Sequence, residues 1–99
     1  MPNVLDDEER TRLLAGLPGW AGDAATLRRT VSAPDFPTAI RLVDAVADVA
    51  EEMDHHPDID IRWRTITFVL STHSAGGVTQ NDIDLARRIS DLATRFDAT

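Results

Sequence analysis

Asp58-Ile59-Asp60-Ile61-Arg62-Trp63-Arg64-Thr65-Ile66-Thr67-Phe68-Val69-Leu70-Ser71 is the stretch that decides the fold. Ile59, Ile61 and Trp63 alternate with Asp58, Asp60 and Arg62, while Ile66, Phe68 and Leu70 alternate with Thr67, Val69 and Ser71. Each half therefore reads as a strand with one apolar face. A two-residue turn at Arg64-Thr65 sets Trp63 opposite Ile66 and, counted outward, position 56 opposite position 73. Both apolar rows then share a face, as a sheet packed against helices requires, and a slip by one residue breaks that agreement. Trp63 on this row reads as core rather than as a stacking platform. Asp58, Asp60, Arg62 and Arg64 read as a solvated outer surface with cross-strand charge pairing.

Elements on either side follow from the periodicity. Upstream, Asp35 is a candidate N-cap with Pro37 in the first helical turn, where a missing N–H costs nothing. Phe36, Ile40, Val43, Val46, Ala47, Ala50 and Met53 then form one apolar helical face, and Pro57 requires this helix to have ended. Nearer the start, Asp6 and Glu9 resemble a capping box, Leu13, Leu14 and Leu17 give a buried stripe, and Pro18-Gly19 ends the helix. A short segment at Trp20, a turn at Gly22-Asp23 and a run from Thr26 to Val31 suggest another hairpin. Downstream, Thr79 and Asp82 form a capping box opening a helix with Ile83, Ala86, Ile89, Ala93 and Phe96 on one face. The order helix, hairpin, helix, hairpin, helix predicts an α+β fold: a four-stranded antiparallel sheet with three helices packed on one face.

Composition narrows the functional classes. With 99 residues the chain reads as one domain, 1–99, small enough for self-association to bury useful surface. A 42% hydrophobic and 27% charged composition is ordinary for a globular protein, with no apolar run of membrane-spanning length. The start Met1-Pro2-Asn3-Val4-Leu5-Asp6-Asp7-Glu8-Glu9 is acidic and lacks the plan of a signal peptide, which predicts a cytoplasmic protein. There is no cysteine, hence no disulfide, thiolate nucleophile or Cys-based zinc site. A net charge of -7 repels phosphate backbones and argues against nucleic-acid binding.

The chain has three histidines, and the hairpin brings all of them to one end. His55 and His56 stand at its entrance and His73 at its exit, with the N-terminus of the last helix close by. Imidazole titrates near neutral pH and serves as either acid or base. The rival reading is a shared zinc joined by Glu51, Asp54 or Asp82, against which adjacent histidines in extended chain point to different sides. Glu51, one turn before His55, is positioned to orient that imidazole if the helix persists. Asp82 is explained by capping alone, with direct catalysis as its alternative. Ser71 and Thr72 beside His73 offer hydroxyls and backbone to a flat polar ligand, or are simply strand residues.

Glu51, His55-His56-Pro57, Trp63, His73 and Asp82 together resemble the signature of the pterin-4a-carbinolamine dehydratases. The likeness extends through Gly19-Trp20, Ser71-Thr72-His73, Gly76-Gly77 and Leu85-Ala86. That family usually has Tyr where this chain has Trp63. The resemblance implies dehydration of a 4a-hydroxytetrahydropterin to the quinonoid dihydropterin, without metal or cofactor, in recycling of a tetrahydrobiopterin-type cofactor. It implies His55 and His73 as the acid–base pair and His56 as a catalytic contact that stabilises charge. Glu51, Asp54, Pro57, Ser71, Thr72 and Asp82 are then the expected substrate-binding residues, and a homotetramer, with a dimer second, the expected assembly. A noncatalytic assembly or scaffold protein on the same fold is the alternative. A transcription-factor partner, known among animal relatives, has no support in this chain.

Overall fold

The structure, a computed structural model, describes residues 3–99. Met1 and Pro2, which open the acidic start, lie outside the described residues. The chain runs α1 (Asp7–Leu14), β1 (Ala21–Gly22), β2 (Leu27–Ser32), α2 (Phe36–Met53), β3 (Asp58–Arg62), β4 (Thr65–Leu70), a 3₁₀ turn (His73–Ala75) and α3 (Gln80–Arg95). Two hairpins join through β2 and β4 into an antiparallel sheet of order β1-β2-β4-β3, the α+β architecture expected from the sequence.

The two central strands supply the apolar floor. Leu27 and Val31 of β2 and Ile66, Phe68 and Leu70 of β4 are buried with Leu42 and Val46 of α2 and Ile83 and Ile89 of α3. Strand alternation turns their neighbours outward, where hydroxyls pair instead: Thr30 with Thr67 at 2.8 Å and Ser32 with Thr65 at 3.3 Å.

The register of the second hairpin differs from expectation by two residues. Ile61 faces Ile66 and Arg62 faces Thr65, so the connection is Trp63-Arg64. A two-residue slip keeps parity, and the apolar rows still share a face. The tip is held by the β2 side: Ala33 N–H donates to Arg64 O at 2.8 Å, and Arg64 Nη1 donates to Ala33 O at 3.2 Å. Trp63 is consequently not core; it sits in the left-handed region at φ 57 and is 76% exposed. The outer charges also pair differently. Arg62 Nε reaches Asp60 along its own strand at 3.2 Å, and their cross-strand partners are Thr65 and Thr67.

Caps set the helix starts. Asp35 accepts from Thr38 N–H at 2.8 Å and Asp6 from Glu9 N–H at 2.8 Å. α1 ends at Leu14, four residues before Pro18, because Gly16 N–H turns to Leu13 O and Leu17 N–H to Leu14 O. Leu17 is buried from that turn, whereas Leu13 and Leu14 are half-buried. The first hairpin is shaped by Asp23, whose Oδ1 accepts from Ala25 N–H and Thr26 N–H. Trp20 precedes β1 and is buried, its Nε1 donating to Ser90 on α3 at 2.9 Å.

The inward face of α2 is rotated from the expected one. Ala39, Leu42, Val46, Val49 and Ala50 are buried, while Phe36 is 45% exposed, Ala47 is exposed and Ile40 and Val43 are half-buried. This helix is apolar on two sides, and packing against α3 and the sheet selects Leu42 and Val49. The other side is left facing outward.

Candidate active site

The histidine pair is aimed by the way α2 stops. Asp54 adopts the left-handed conformation, φ 50 and ψ 44, which Asp tolerates better than most residues. Asp54 N–H returns to Glu51 O at 3.2 Å and His55 N–H to Ala50 O at 3.0 Å, closing the helix in the manner of a Schellman turn. Past this reversal the two imidazoles diverge, each to its own carboxylate.

His55 turns inward. Its Nε2 meets Asp82 Oδ1 at 2.6 Å, and its side chain is 13% exposed against 0% for Asp82. Asp82 is at the third position of α3, where the capping box bends it back to accept Thr79 N–H at 2.9 Å through Oδ2. The same oxygen accepts from Thr72 Oγ1 at 2.8 Å, and Thr72 Oγ1 contacts Thr79 Oγ1 at 2.7 Å. Thr72, Thr79 and Asp82 are all buried. Capping and orientation of His55 are thus performed by one carboxylate, and Thr72, expected beside a ligand, has its hydroxyl committed to the interior.

His56 turns outward to Glu51, Nε2 to Oε2, with both side chains largely exposed. Glu51 therefore partners His56 and not His55, because α2 ends at Met53 and the reversal at Asp54 interrupts the helical spacing. His73 opens the 3₁₀ turn immediately after Thr72, whose carbonyl accepts Ala75 N–H and Gly76 N–H at 3.0 Å. Gly76 closes this turn at φ 82, and Thr72 pairs with Gly77. The His73 ring is exposed, with no hydrogen-bonding side-chain partner among the described residues. Continued past the strands, the observed register sets position 55 opposite position 72, consistent with the bonds that both make to Asp82.

The remaining expected residues flank this corner. Pro57 and Ser71 are half-buried and Asp54 is exposed. Among the described residues no three His, Asp or Glu side chains converge as a metal-ligand set. Concavities of about 260 Å³ beside Arg29 and Ser90 and about 370 Å³ between Val49 and Leu92 contain none of the histidines. The candidate site is an open corner of the chain, with a buried acid behind one imidazole and exposed imidazoles on two chain segments. Such a set can give and take protons on a flat ligand laid across it. Sequence reasoning missed the Thr72–Asp82 link. The capping box signalled that Asp82 points back toward residue 79, but nothing local revealed the long-range neighbours that its two oxygens meet.

Residues 3–92 match the family described as Pterin 4 alpha carbinolamine dehydratase. A relative from Nocardia farcinica, provisionally named a pterin-4-alpha-carbinolamine dehydratase, is 59% identical over 90 residues, covering 91% of this chain and 95% of its own. Among solved structures, a transcriptional coactivator/pterin dehydratase from Brucella melitensis superposes with a TM-score of 0.88 at 33% identity, over 92% of this chain and 99% of that one. A pterin dehydratase-like protein identified as a RuBisCO assembly factor in the alpha-carboxysome shares the fold, with a TM-score of 0.62 at 21% identity over 75% and 86% of the two chains.

Proposed function

The chain belongs to the pterin 4 alpha carbinolamine dehydratase family, and we propose that it dehydrates a 4a-hydroxytetrahydropterin to the quinonoid dihydropterin by metal-free acid–base catalysis on its histidines. The carbon–oxygen bond breaks as a proton reaches the departing hydroxyl, and a ring nitrogen of the pterin gives up a proton. The electron push comes from the pterin, so one acid and one base suffice; positioned proton transfer contributes roughly 10²–10⁴-fold. His55 and His73 are the acid–base pair, and His56 contacts the substrate and stabilises charge. Asp54, Pro57, Ser71 and Glu51, through His56, border the pterin. Thr72 and Asp82 act on it through His55.

The observation that carries this reading is the His55–Asp82 pair, an imidazole held at 2.6 Å by a buried carboxylate. A merely solvated histidine has no such support. The wider role is recycling of a tetrahydrobiopterin-type cofactor in the cytoplasm. The assembly is a homotetramer, or else a dimer, supported by the outward apolar side of α2 and by the free edge of β3 with Ile61 and Trp63 exposed.

The test is a dehydratase assay on enzymatically generated carbinolamine, with the spontaneous rate subtracted. The parent protein accelerates the reaction and keeps its activity after prolonged chelation. His55→Ala and His73→Ala each lower turnover by about 10²-fold or more with unchanged circular dichroism. Near-parental turnover in both variants replaces this reading with that of a noncatalytic scaffold. Loss of turnover on chelation, restored by zinc, replaces it with a metal site.

A further inference from the structure

The hydroxyls behind His55 admit one consistent arrangement of protons around an ionised Asp82. Thr72 Oγ1 donates to Asp82 Oδ2 at 2.8 Å, which uses the only proton that hydroxyl has. At its 2.7 Å contact with Thr79 Oγ1 it must therefore accept, so Thr79 is the donor there. Thr79 Oγ1 in turn accepts Asn81 N–H at 3.2 Å, the capping bond of α3. Every link is directed toward the carboxylate, and Thr79 N–H adds a second donor to the same oxygen at 2.9 Å. A carboxylate only accepts, so at Oδ1 the ring nitrogen of His55 has to donate. Thr72, Thr79 and Asp82 are buried, which keeps bulk water from reordering the chain.

We propose that Thr79, Thr72 and Asp82 form a directed hydrogen-bond chain that holds neutral His55 as its Nε2–H tautomer, making Nδ1 the nitrogen that exchanges a proton with substrate. Nδ1 has no hydrogen-bond partner among the described residues and is not among the buried unsatisfied atoms, so it is the accessible side of the ring. Thr72 and Asp82 are positioning residues in this scheme. The tautomer follows from the hydrogen bonds alone; the role of Nδ1 rests on the dehydratase reading.

The two parts are separable by nitrogen-15 NMR of the histidine rings at a pH where they are neutral, combined with the carbinolamine assay. The parent protein is expected to give the Nε2–H pattern for His55. In Asp82→Asn the two donors at Oδ2 hold the amide oxygen there, so the amide NH₂ faces His55 Nε2 and the ring must carry its proton on Nδ1. Turnover then falls by about 10²-fold or more, since the wrong nitrogen is free. Thr72→Val removes one donor from Asp82 Oδ2 but leaves a carboxylate that still only accepts, so the Nε2–H pattern is kept while turnover falls by about 10-fold or more through lost positioning, and Thr72→Ser restores turnover. A parental Nδ1–H pattern overturns the ordering. A reversed tautomer in Asp82→Asn with turnover retained overturns the role of Nδ1. A parent with the Nε2–H pattern and no turnover above the spontaneous rate removes the dehydratase reading and the role of Nδ1 with it, while the ordering stands.

Discussion

Arg62 pairs directly with Thr65 across the β3–β4 hairpin, which makes Trp63-Arg64 the connection and carries the indole into solvent. Trp63 therefore joins Ile61, 40% exposed, beside the unpaired edge of β3. Two β3 edges brought together antiparallel about Ile61 set Asp60 of each copy against Arg62 of the other, a self-complementary row.

An added charge at the centre of that row is expected to weaken assembly. Ile61→Lys puts like charges opposite each other if two copies meet there. Sedimentation equilibrium at micromolar concentration should give a multimeric mass for the parent and a smaller one for the variant. A strictly monomeric parent removes the idea.

Asp82 and Thr79 are expected to differ in what they cost when removed. Thr79→Ala loses an N-cap and should destabilise by about 1–2 kcal/mol. Asp82→Ala loses the reciprocal cap and leaves Thr72, Thr79 N–H and His55 without their buried acceptor, for about 2–4 kcal/mol. Urea unfolding of both variants checks the order; equal costs would mean that the bonds to Thr72 and His55 contribute nothing.

How far these relationships are legible in sequence depends on their range. The caps at Asp35 and Thr79 are, because donor and acceptor lie within three residues. The hairpin register is not: a two-residue slip preserves the alternation of Ile59, Ile61, Ile66 and Phe68, and the contact that selects it joins Arg64 to Ala33, 31 residues away. The inward side of α2 is hidden for a similar reason, since Phe36, Ile40 and Val43 are as apolar as the residues that α3 covers. The placement of the histidines, two before β3 and one after β4, is legible from the hairpin pattern. The partner of each is not, because Asp54 reverses the chain between Glu51 and His55.

His56 and Glu51 are expected to govern binding more than chemistry. Both are exposed, and an exposed pair contributes roughly 0–1 kcal/mol to stability, so either can be removed without loss of fold. His56→Ala should raise KM severalfold more than it lowers kcat, and Glu51→Gln should shift KM in the same direction by a smaller factor. Steady-state kinetics on the carbinolamine separates the two constants; a change confined to kcat would move His56 into the proton-transfer step.

Acid sensitivity is expected to come partly from Asp35. Hydrogen bonds from Thr38 hold its carboxyl below the ordinary 3.8. A carboxyl depressed in the folded state contributes stability that is whole above that value and fades as pH falls through it. Asp35→Ser keeps a capping oxygen without the titration. Its urea midpoint should therefore change less than the parent's as pH is lowered from about 5 to 3, and parallel curves for the two proteins would refute the assignment.

On the proposed dehydratase reading, the placement of Asp82 also constrains how such chemistry could be lost over evolutionary time. His56 and His73 are exposed and hold no part of the core, so both are expected to be dispensable to the fold once turnover is not selected. Asp82 is retained longer, because the start of α3 depends on it whether or not a reaction takes place. A descendant that keeps the acid and has lost the imidazoles is thus a retired catalyst still wearing its scaffold.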